Sequence, residues 1–150
     1  MIRRKAKKDK RRVRNAKESV YDGIKFRSNL ELFTYKQLKK NKIKFSYEKH
    51  RFNLINGFEY TPDCWQKGKK KKKTTFVKAQ KNIKNTTYLP DFCNLEENWI
   101  VECKGLKTDV FVLKWKLFKK YLKDNNLKYK LYMPSNQTQV IETIKLIRNG

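Results

Sequence analysis

Apolar and polar positions alternate along this chain at two periods, one helical and one extended. From Ser28 to about Asn41, Leu30, Phe33, Tyr35 and Leu38 recur as on one side of a helix. Ser28-Asn29-Leu30-Glu31 ahead of them reads as a capping box, in which a serine and a glutamate satisfy the free N–H groups of the first turn. Ile43 to Tyr47 and Arg51 to Ile55 alternate apolar with polar, which marks strands. Asn56-Gly57 before Phe58-Glu59-Tyr60 adds a hairpin signal. A second strand pair follows, Thr87 to Cys93 and Trp99 to Cys103, joined through a turn-like stretch ending at Asn98.

The spacing of Val110, Leu113, Leu117 and Tyr121, beside Phe111, Trp115, Phe118 and Leu122, predicts a core helix with a wide apolar face. Leu127 to Met133 reads as a closing strand, stopped by Pro134. Residues 136–149 form a last amphipathic helix with Val140, Ile141, Ile144 and Ile147 on one face. Helix, strands, helix, strand, helix is the order of an α/β domain built around one mixed sheet flanked by helices.

Two stretches fall outside this pattern. Met1 to Glu18 offers only Ile2, Ala6, Val13 and Ala16 for burial, so residues 1–18 are expected to be a flexible basic arm, disordered until it meets nucleic acid, ahead of a domain over 19–150. Trp65 to Asn85 contains the run Lys69, Lys70, Lys71, Lys72 and Lys73 with little periodicity, and is expected to be a mobile lysine-rich insertion or, equally, a plain solvated loop. With 150 residues the chain has room for one core and hardly for two.

Charge narrows the partner. The chain has 39 Lys and Arg against 14 Asp and Glu, a net charge of +25, so its compact state repels itself unless a polyanion neutralises it. DNA is the expected partner and a membrane is not, because no apolar run approaches the roughly 20 residues of a spanning helix. The basic N-terminus lacks the apolar stretch of an export signal, so the cytoplasm is expected. Cys64, Cys93 and Cys103 are an odd number without metal-ligand spacing, and fit a reducing compartment as small hydrophobes. The single His50 offers no zinc constellation and no Ser/His/Asp triad.

Candidate chemistry lies in the second strand pair. In Trp99-Ile100-Val101-Glu102-Cys103-Lys104 the strand period of two puts Glu102 and Lys104 on one face. If the turn spans Leu95 to Asn98, Asn94 pairs with Trp99, and counting back brings Asp91 opposite Glu102. Facing carboxylates repel unless a cation lies between them. Mg²⁺, with Mn²⁺ as a substitute, suits two acids plus the backbone carbonyl of Cys103, and leaves positions for a phosphate and a water. Lys104 can orient that water and offset charge in the transition state. Pro90 removes a ladder donor just before Asp91, as in a strand that diverges. The bland alternative makes Asp91 a strand-end acid and leaves Glu102 and Lys104 on an exposed sheet face.

Tyr88-Leu89-Pro90-Asp91-Phe92, then Ile100-Val101-Glu102-Cys103-Lys104-Gly105, resembles the Pro-Asp, Glu-x-Lys signature of the PD-(D/E)XK nuclease superfamily. The Ser28 to Glu31 helix start, Phe45-Ser46-Tyr47-Glu48 and the segment Phe111 to Lys116 resemble its small phage endonucleases and junction-resolving (Holliday junction resolvase) enzymes, a likeness running from about Phe26 to Met133. The resemblance implies a restriction-endonuclease-like core and Mg²⁺-dependent hydrolysis of DNA, branched or junction DNA included. It implies Asp91 and Glu102 as metal ligands, Lys104 as the catalytic lysine and Glu31 as a further acid from the first helix. Glu31 is equally explained as the capping partner of Ser28. Paired cuts would favour a homodimer, and a phage origin would set the compartment as host-cell cytoplasm, with virion association open.

The sequence departs from the pattern with a second Pro-Asp in Tyr60-Thr61-Pro62-Asp63, far upstream of Glu102, and Asp91 is the preferred acid. Glu48 could also approach the site, but reads first as a surface or edge-strand acid. Grip on phosphates is assigned to Lys69 to Lys73, to Arg3, Arg4, Arg11 and Arg12 of the arm, and to Lys114 and Lys116, with Lys119 and Lys120 extending the surface, although solvated helix lysines are the commoner case for these four. A non-enzymatic nucleic-acid-binding protein, such as a ribosomal, nucleoid or genome-packaging component, is the competing class, and RNA is a third possibility for the substrate.

Overall fold

The computed structural model describes residues 18–60, 63–67, 74–78 and 81–150. The assigned arm residues Arg3, Arg4, Arg11 and Arg12 and the run Lys69 to Lys73 lie outside the described residues. Among the described residues three helices and a mixed central sheet make an α/β fold.

The centre is a four-stranded sheet of β3 (Ser46–Tyr47), β10 (Phe92–Asn94), β11 (Trp99–Val101) and β12 (Lys130–Tyr132), in the order β12-β11-β10-β3. Strands β10 and β11 are antiparallel with Asn94 on Trp99, Cys93 on Ile100 and Phe92 on Val101, the register expected from the length of the turn. That turn is fixed by Asn94, whose Oδ1 accepts from the N–H groups of Glu96 and Glu97, and by Asn98 in the left-handed region at φ +58°. Strand β12 joins β11 in parallel, and the ladder runs on as Glu102 N–H donates to the Tyr132 carbonyl and Lys104 N–H to that of Pro134.

The sheet separates two apolar layers. On one face Phe92, Trp99, Val101 and Cys103 pack with Tyr35 and Leu38 of α1 (Asn29–Lys40) and with Val140 and Ile144 of α3 (Gln137–Arg148). On the other, Cys93 and Ile100 pack with Phe111, Phe118 and Leu122 of α2 (Asp109–Asp124). Burying an aliphatic side chain in such layers stabilises by about 1.5–3 kcal/mol, so strict alternation along β11 fixes which residues are left to face each side.

The helix faces are narrower than their apolar composition suggests. Phe111, Trp115, Phe118 and Leu122 form the inward stripe of α2, whereas Val110 and Leu113 are 67% and 60% exposed. In α3 the inward residues are Val140, Thr143 and Ile144, and Ile141 is exposed. A helix in one interface buries one stripe, so apolar positions about 100° away stay in solvent.

Three elements correct the expected organisation. Ser19–Tyr21 (β1) and Ile24–Phe26 (β2) form a hairpin through Asp22 and Gly23, both at positive φ. Strand β4 (Phe52–Ile55) pairs with β9 (Thr86–Tyr88), and β5 (Phe58–Tyr60) pairs with β8 (Lys81–Ile83), so Asn56-Gly57 is no hairpin turn. Gly57 is needed there for another reason: a Cβ would sit 2.7 Å from the Ile83 carbonyl oxygen. Finally, β6 (Asp63–Lys67) pairs with β7 (Thr74–Lys78), so the described part of the expected loop up to Ile83 is strand. One register persists from Ile55↔Thr86 to Lys67↔Thr74, making β4 to β9 successive parts of a two-stranded ribbon.

Candidate active site

The strand that was expected to run unbroken from Thr87 to Cys93 is split at Leu89 to Asp91, where β9 turns away to β4 and β10 begins. Pro90 cannot donate to a ladder, which suits the break. The split brings two ends together: Tyr88 from the ribbon base, and Asp91 at the entrance to β10, one position beyond the Phe92↔Val101 pair and so level with Glu102.

Both acids are buried, Asp91 at 4% and Glu102 at 5% exposure, which rules out the bland reading of Glu102 on a solvated sheet face. Each is oriented by a neutral donor. Cys103 N–H donates to Asp91 Oδ2 at 2.7 Å, and the Tyr88 hydroxyl donates to Glu102 Oε2 at 2.8 Å. The Tyr88 ring is clamped by stacking on Phe118, with centroids 4.4 Å apart, and Phe52 of β4 packs on Phe118 from the ribbon.

Burial, the Glu102 charge and the Glu31 charge push the Asp91 carboxyl well above its usual range. Burial also raises Glu102, partly offset by the Tyr88 hydrogen bond and by Lys104. Burial together with the Glu102 charge raises the Tyr88 hydroxyl, so it stays protonated and donating.

Each acid has a cation within ion-pair distance. Lys104 Nζ lies 3.6 Å from Glu102 Oε1 and 4.7 Å from the centroid of Phe111, half-buried against α2. Arg27 Nη2 lies 3.4 Å from Asp91 Oδ1 and also bonds Glu48 Oε1. Two buried carboxylates with raised proton affinity, each in a loose ion pair with a partly exposed cation, are a hard-oxygen donor set that fits Mg²⁺. Among the described residues no three His, Cys, Asp or Glu side chains form a metal-binding group by themselves, so a peptide carbonyl such as that of Cys103 would have to complete the set.

Glu31 is the capping partner of Ser28. Ser28 Oγ accepts from Glu31 N–H at 3.2 Å and donates to Glu31 Oε1 at 2.9 Å, as a helix cap worth about 1 kcal/mol. Its other oxygen accepts from Arg27 N–H at 3.1 Å and from the Tyr47 hydroxyl at 3.0 Å. Its charge is felt at Asp91, although its own oxygens are occupied by these donors.

Of the two readings of Glu48, the structure shows the one that approaches the site. Its N–H donates to the Asp91 carbonyl at 2.9 Å while its backbone is left-handed at φ +44°. A non-glycine residue in that region costs about 1–2 kcal/mol, which the bonds to Asp91 and Arg27 offset. Arg27, Tyr47 and Tyr88 were missed, although Tyr47 and Tyr88 stood beside acids already singled out. Asp63 pairs through its backbone with Lys78 in the ribbon and is separate from the strand of Glu102. Lys114 Nζ reaches the Thr87 carbonyl at 3.4 Å on the ribbon base, and Lys116 is exposed on α2. Cys93 and Cys103 are buried free thiols, Cys103 raised well above the usual thiol range by burial. No described helix is long and apolar enough to cross a membrane.

A family profile described as "Protein of unknown function (DUF1064)" matches residues 11–138, and the chain belongs to that family. No curated protein and no solved structure matches the chain.

Proposed function

We propose that this protein is a Mg²⁺-dependent endonuclease that hydrolyses phosphodiester bonds in DNA, built on a PD-(D/E)XK core with Asp91, Glu102 and Lys104 at its centre. The observation that carries this reading is the pair of buried acids, Asp91 and Glu102, brought side by side where β10 meets β11, with the Lys104 ammonium beside Glu102. The mixed sheet with helices on both faces, and the capped first helix delivering Glu31 toward Asp91, support the same assignment.

Asp91, Glu102 and the Cys103 carbonyl would hold the metal ion, with the Glu31 charge adding to the negative potential. When bound, the ion supplies Lewis acidity toward a phosphate and a nucleophilic water at neutral pH. Cys103 N–H and the Tyr88 hydroxyl lock the two carboxylates in place beforehand, so little reorganisation remains at the moment of reaction. Lys104 offsets charge that builds on the phosphate oxygens as water adds to phosphorus and the bond to the leaving sugar oxygen breaks. Its half-burial against Phe111 limits its freedom to turn away.

Grip is a separate matter. Each phosphate neutralised by a lysine or arginine releases counterions and adds affinity with little base preference. The paired strands β4 to β9 have the two-stranded form that a DNA groove admits, and Lys69 to Lys73 stand between β6 and β7 in the sequence. The net charge of +25 equally suits a nucleic-acid-binding protein without catalysis. Supercoiled plasmid incubated with and without Mg²⁺ separates the two readings: nicking that needs the metal and is lost in Glu102→Gln supports the nuclease.

A further inference from the structure

We propose that Arg27 is a built-in counter-cation of the acid cluster that competes with a divalent metal ion for Asp91, so that metal binding expels its guanidinium from the site. This inference rests on the metal site of the nuclease reading.

The backbone of Arg27 is pinned and its side chain is not. It lies between the fully buried Phe26 and the cap residue Ser28, with its N–H bonded to Glu31 Oε2 at 3.1 Å. Its side chain is nevertheless 62% exposed, so the guanidinium enters the cluster from the solvent side and has room to leave by the same route.

One nitrogen, Nη2, serves two acids from different parts of the fold, Glu48 after β3 and Asp91 before β10. It approaches Oδ1 of Asp91, while Oδ2 is taken by Cys103 N–H. A planar guanidinium holds a carboxylate most firmly through two parallel N–H bonds at about 2.7–2.9 Å. The 3.4 Å single-nitrogen approach to Asp91 is far from that arrangement. Arg27 therefore neutralises the buried acid without gripping it.

Its charge acts on the whole group. The Arg27 field favours the ionised form of both Asp91 and Glu102, and the fields of Glu48, Glu31 and Asp91 in turn favour the charged guanidinium. An acid cluster assembled without any cation would repel itself or take up protons. Arg27 supplies that cation from within the chain. A compact divalent ion is the stronger partner for carboxylate oxygens, and two cations on the same oxygens repel each other, so Arg27 and the metal ion exclude one another.

The left-handed backbone at Glu48 fits the same device. Its N–H bond to the Asp91 carbonyl fixes Glu48 beside the pair, and its side chain provides the anchor that retains Arg27.

The test is a calorimetric titration of the full chain with Mn²⁺ alone, without nucleic acid. Arg27→Gln should bind Mn²⁺ about five- to twentyfold more tightly than the parent, because the competing cation is gone. Lys25→Gln, at a lysine paired with Glu18 outside the cluster, should change the affinity less than about twofold, since exposed charges at a distance are screened. Without metal Arg27→Gln should melt below the parent, and saturating Mn²⁺ should close that gap. A second readout needs no variant: on titration with Mg²⁺ the Arg27 Nε–H resonance should move to the position of freely solvated arginines. Equal or weaker Mn²⁺ binding by Arg27→Gln, an equal gain in Lys25→Gln, or an unmoved Arg27 resonance at saturating Mg²⁺ overturns the inference while leaving the metal site intact. A parent chain that binds no Mn²⁺ at millimolar concentration overturns both this inference and the nuclease reading.

Discussion

The amide of Cys103 donates to Oδ2 of Asp91 at 2.7 Å, tying the acid at the break between β9 and β10 to the strand that carries Glu102. That bond joins the residue just before β10 to one just beyond β11, and so fixes the two carboxylates relative to each other at the sheet end.

The raised Asp91 carboxyl couples stability to pH. A carboxyl that holds its proton more tightly when folded favours the fold below the ordinary carboxylate range, and that contribution is lost as pH rises through the raised value. Asp91→Asn keeps the acceptor for Cys103 N–H and removes the charge. Without metal it should melt above the parent at pH 8, by about 2–4 °C for each kcal/mol gained, and the difference should shrink toward pH 5. Melting curves at both pH values decide it, and identical pH slopes would sink the proposal that Asp91 is destabilising when ionised.

Tyr88→Phe removes the hydroxyl that holds Glu102 Oε2 and partly counters its raised proton affinity. Glu102 should then ionise at still higher pH, and a buried charge would be deprived of a hydrogen bond worth about 1.5–3 kcal/mol. Cleavage near neutral pH should fall at least tenfold and recover in part as pH is raised. An unchanged pH–rate profile would show that Tyr88 only fills space.

The Asp91 to Glu102 relationship was legible because it needs only a turn length and a period of two. The α/β order and the cap at Ser28 were legible for the same local reasons. The ribbon was not, because periodicity reports burial on one face, and two strands can form a ladder without contributing an alternating core. The Ser19 to Phe26 hairpin is signalled by Asp22-Gly23, but its strands are too short and too exposed to show a period. Arg27 and Glu48 stand in connecting segments, and only tertiary folding, with a left-handed residue at Glu48, brings them to Asp91.

The two Pro-Asp pairs should differ in consequence. Asp63 lies on β6 opposite Lys78, away from the strand of Glu102, so Asp63→Asn should retain most cleavage where Asp91→Asn loses it. Plasmid nicking by the two purified variants checks this, and the reverse result would move the site to the ribbon.

Replacing Lys69 to Lys73 with glutamine should leave the melting temperature unchanged and weaken DNA binding. Each phosphate that is no longer neutralised should lower the salt slope by about 0.9. Affinity measured between low and moderate salt tests this, and an unaltered slope would remove the lysine run from the interface.

Binding and hydrolysis make opposite demands on Glu102, which makes one paired measurement decisive. DNA affinity without metal and plasmid cleavage with Mg²⁺ should be measured on the parent, Glu102→Gln and Lys104→Ala. Glu102→Gln removes a negative charge near the phosphate, so it should bind DNA as tightly as the parent or more tightly, while its cleavage falls by several orders of magnitude. Lys104→Ala should bind slightly less tightly and also lose cleavage. A parent that binds DNA but never nicks it under Mg²⁺ or Mn²⁺, with both variants binding alike, would contradict the nuclease reading and leave a nucleic-acid-binding protein in its place.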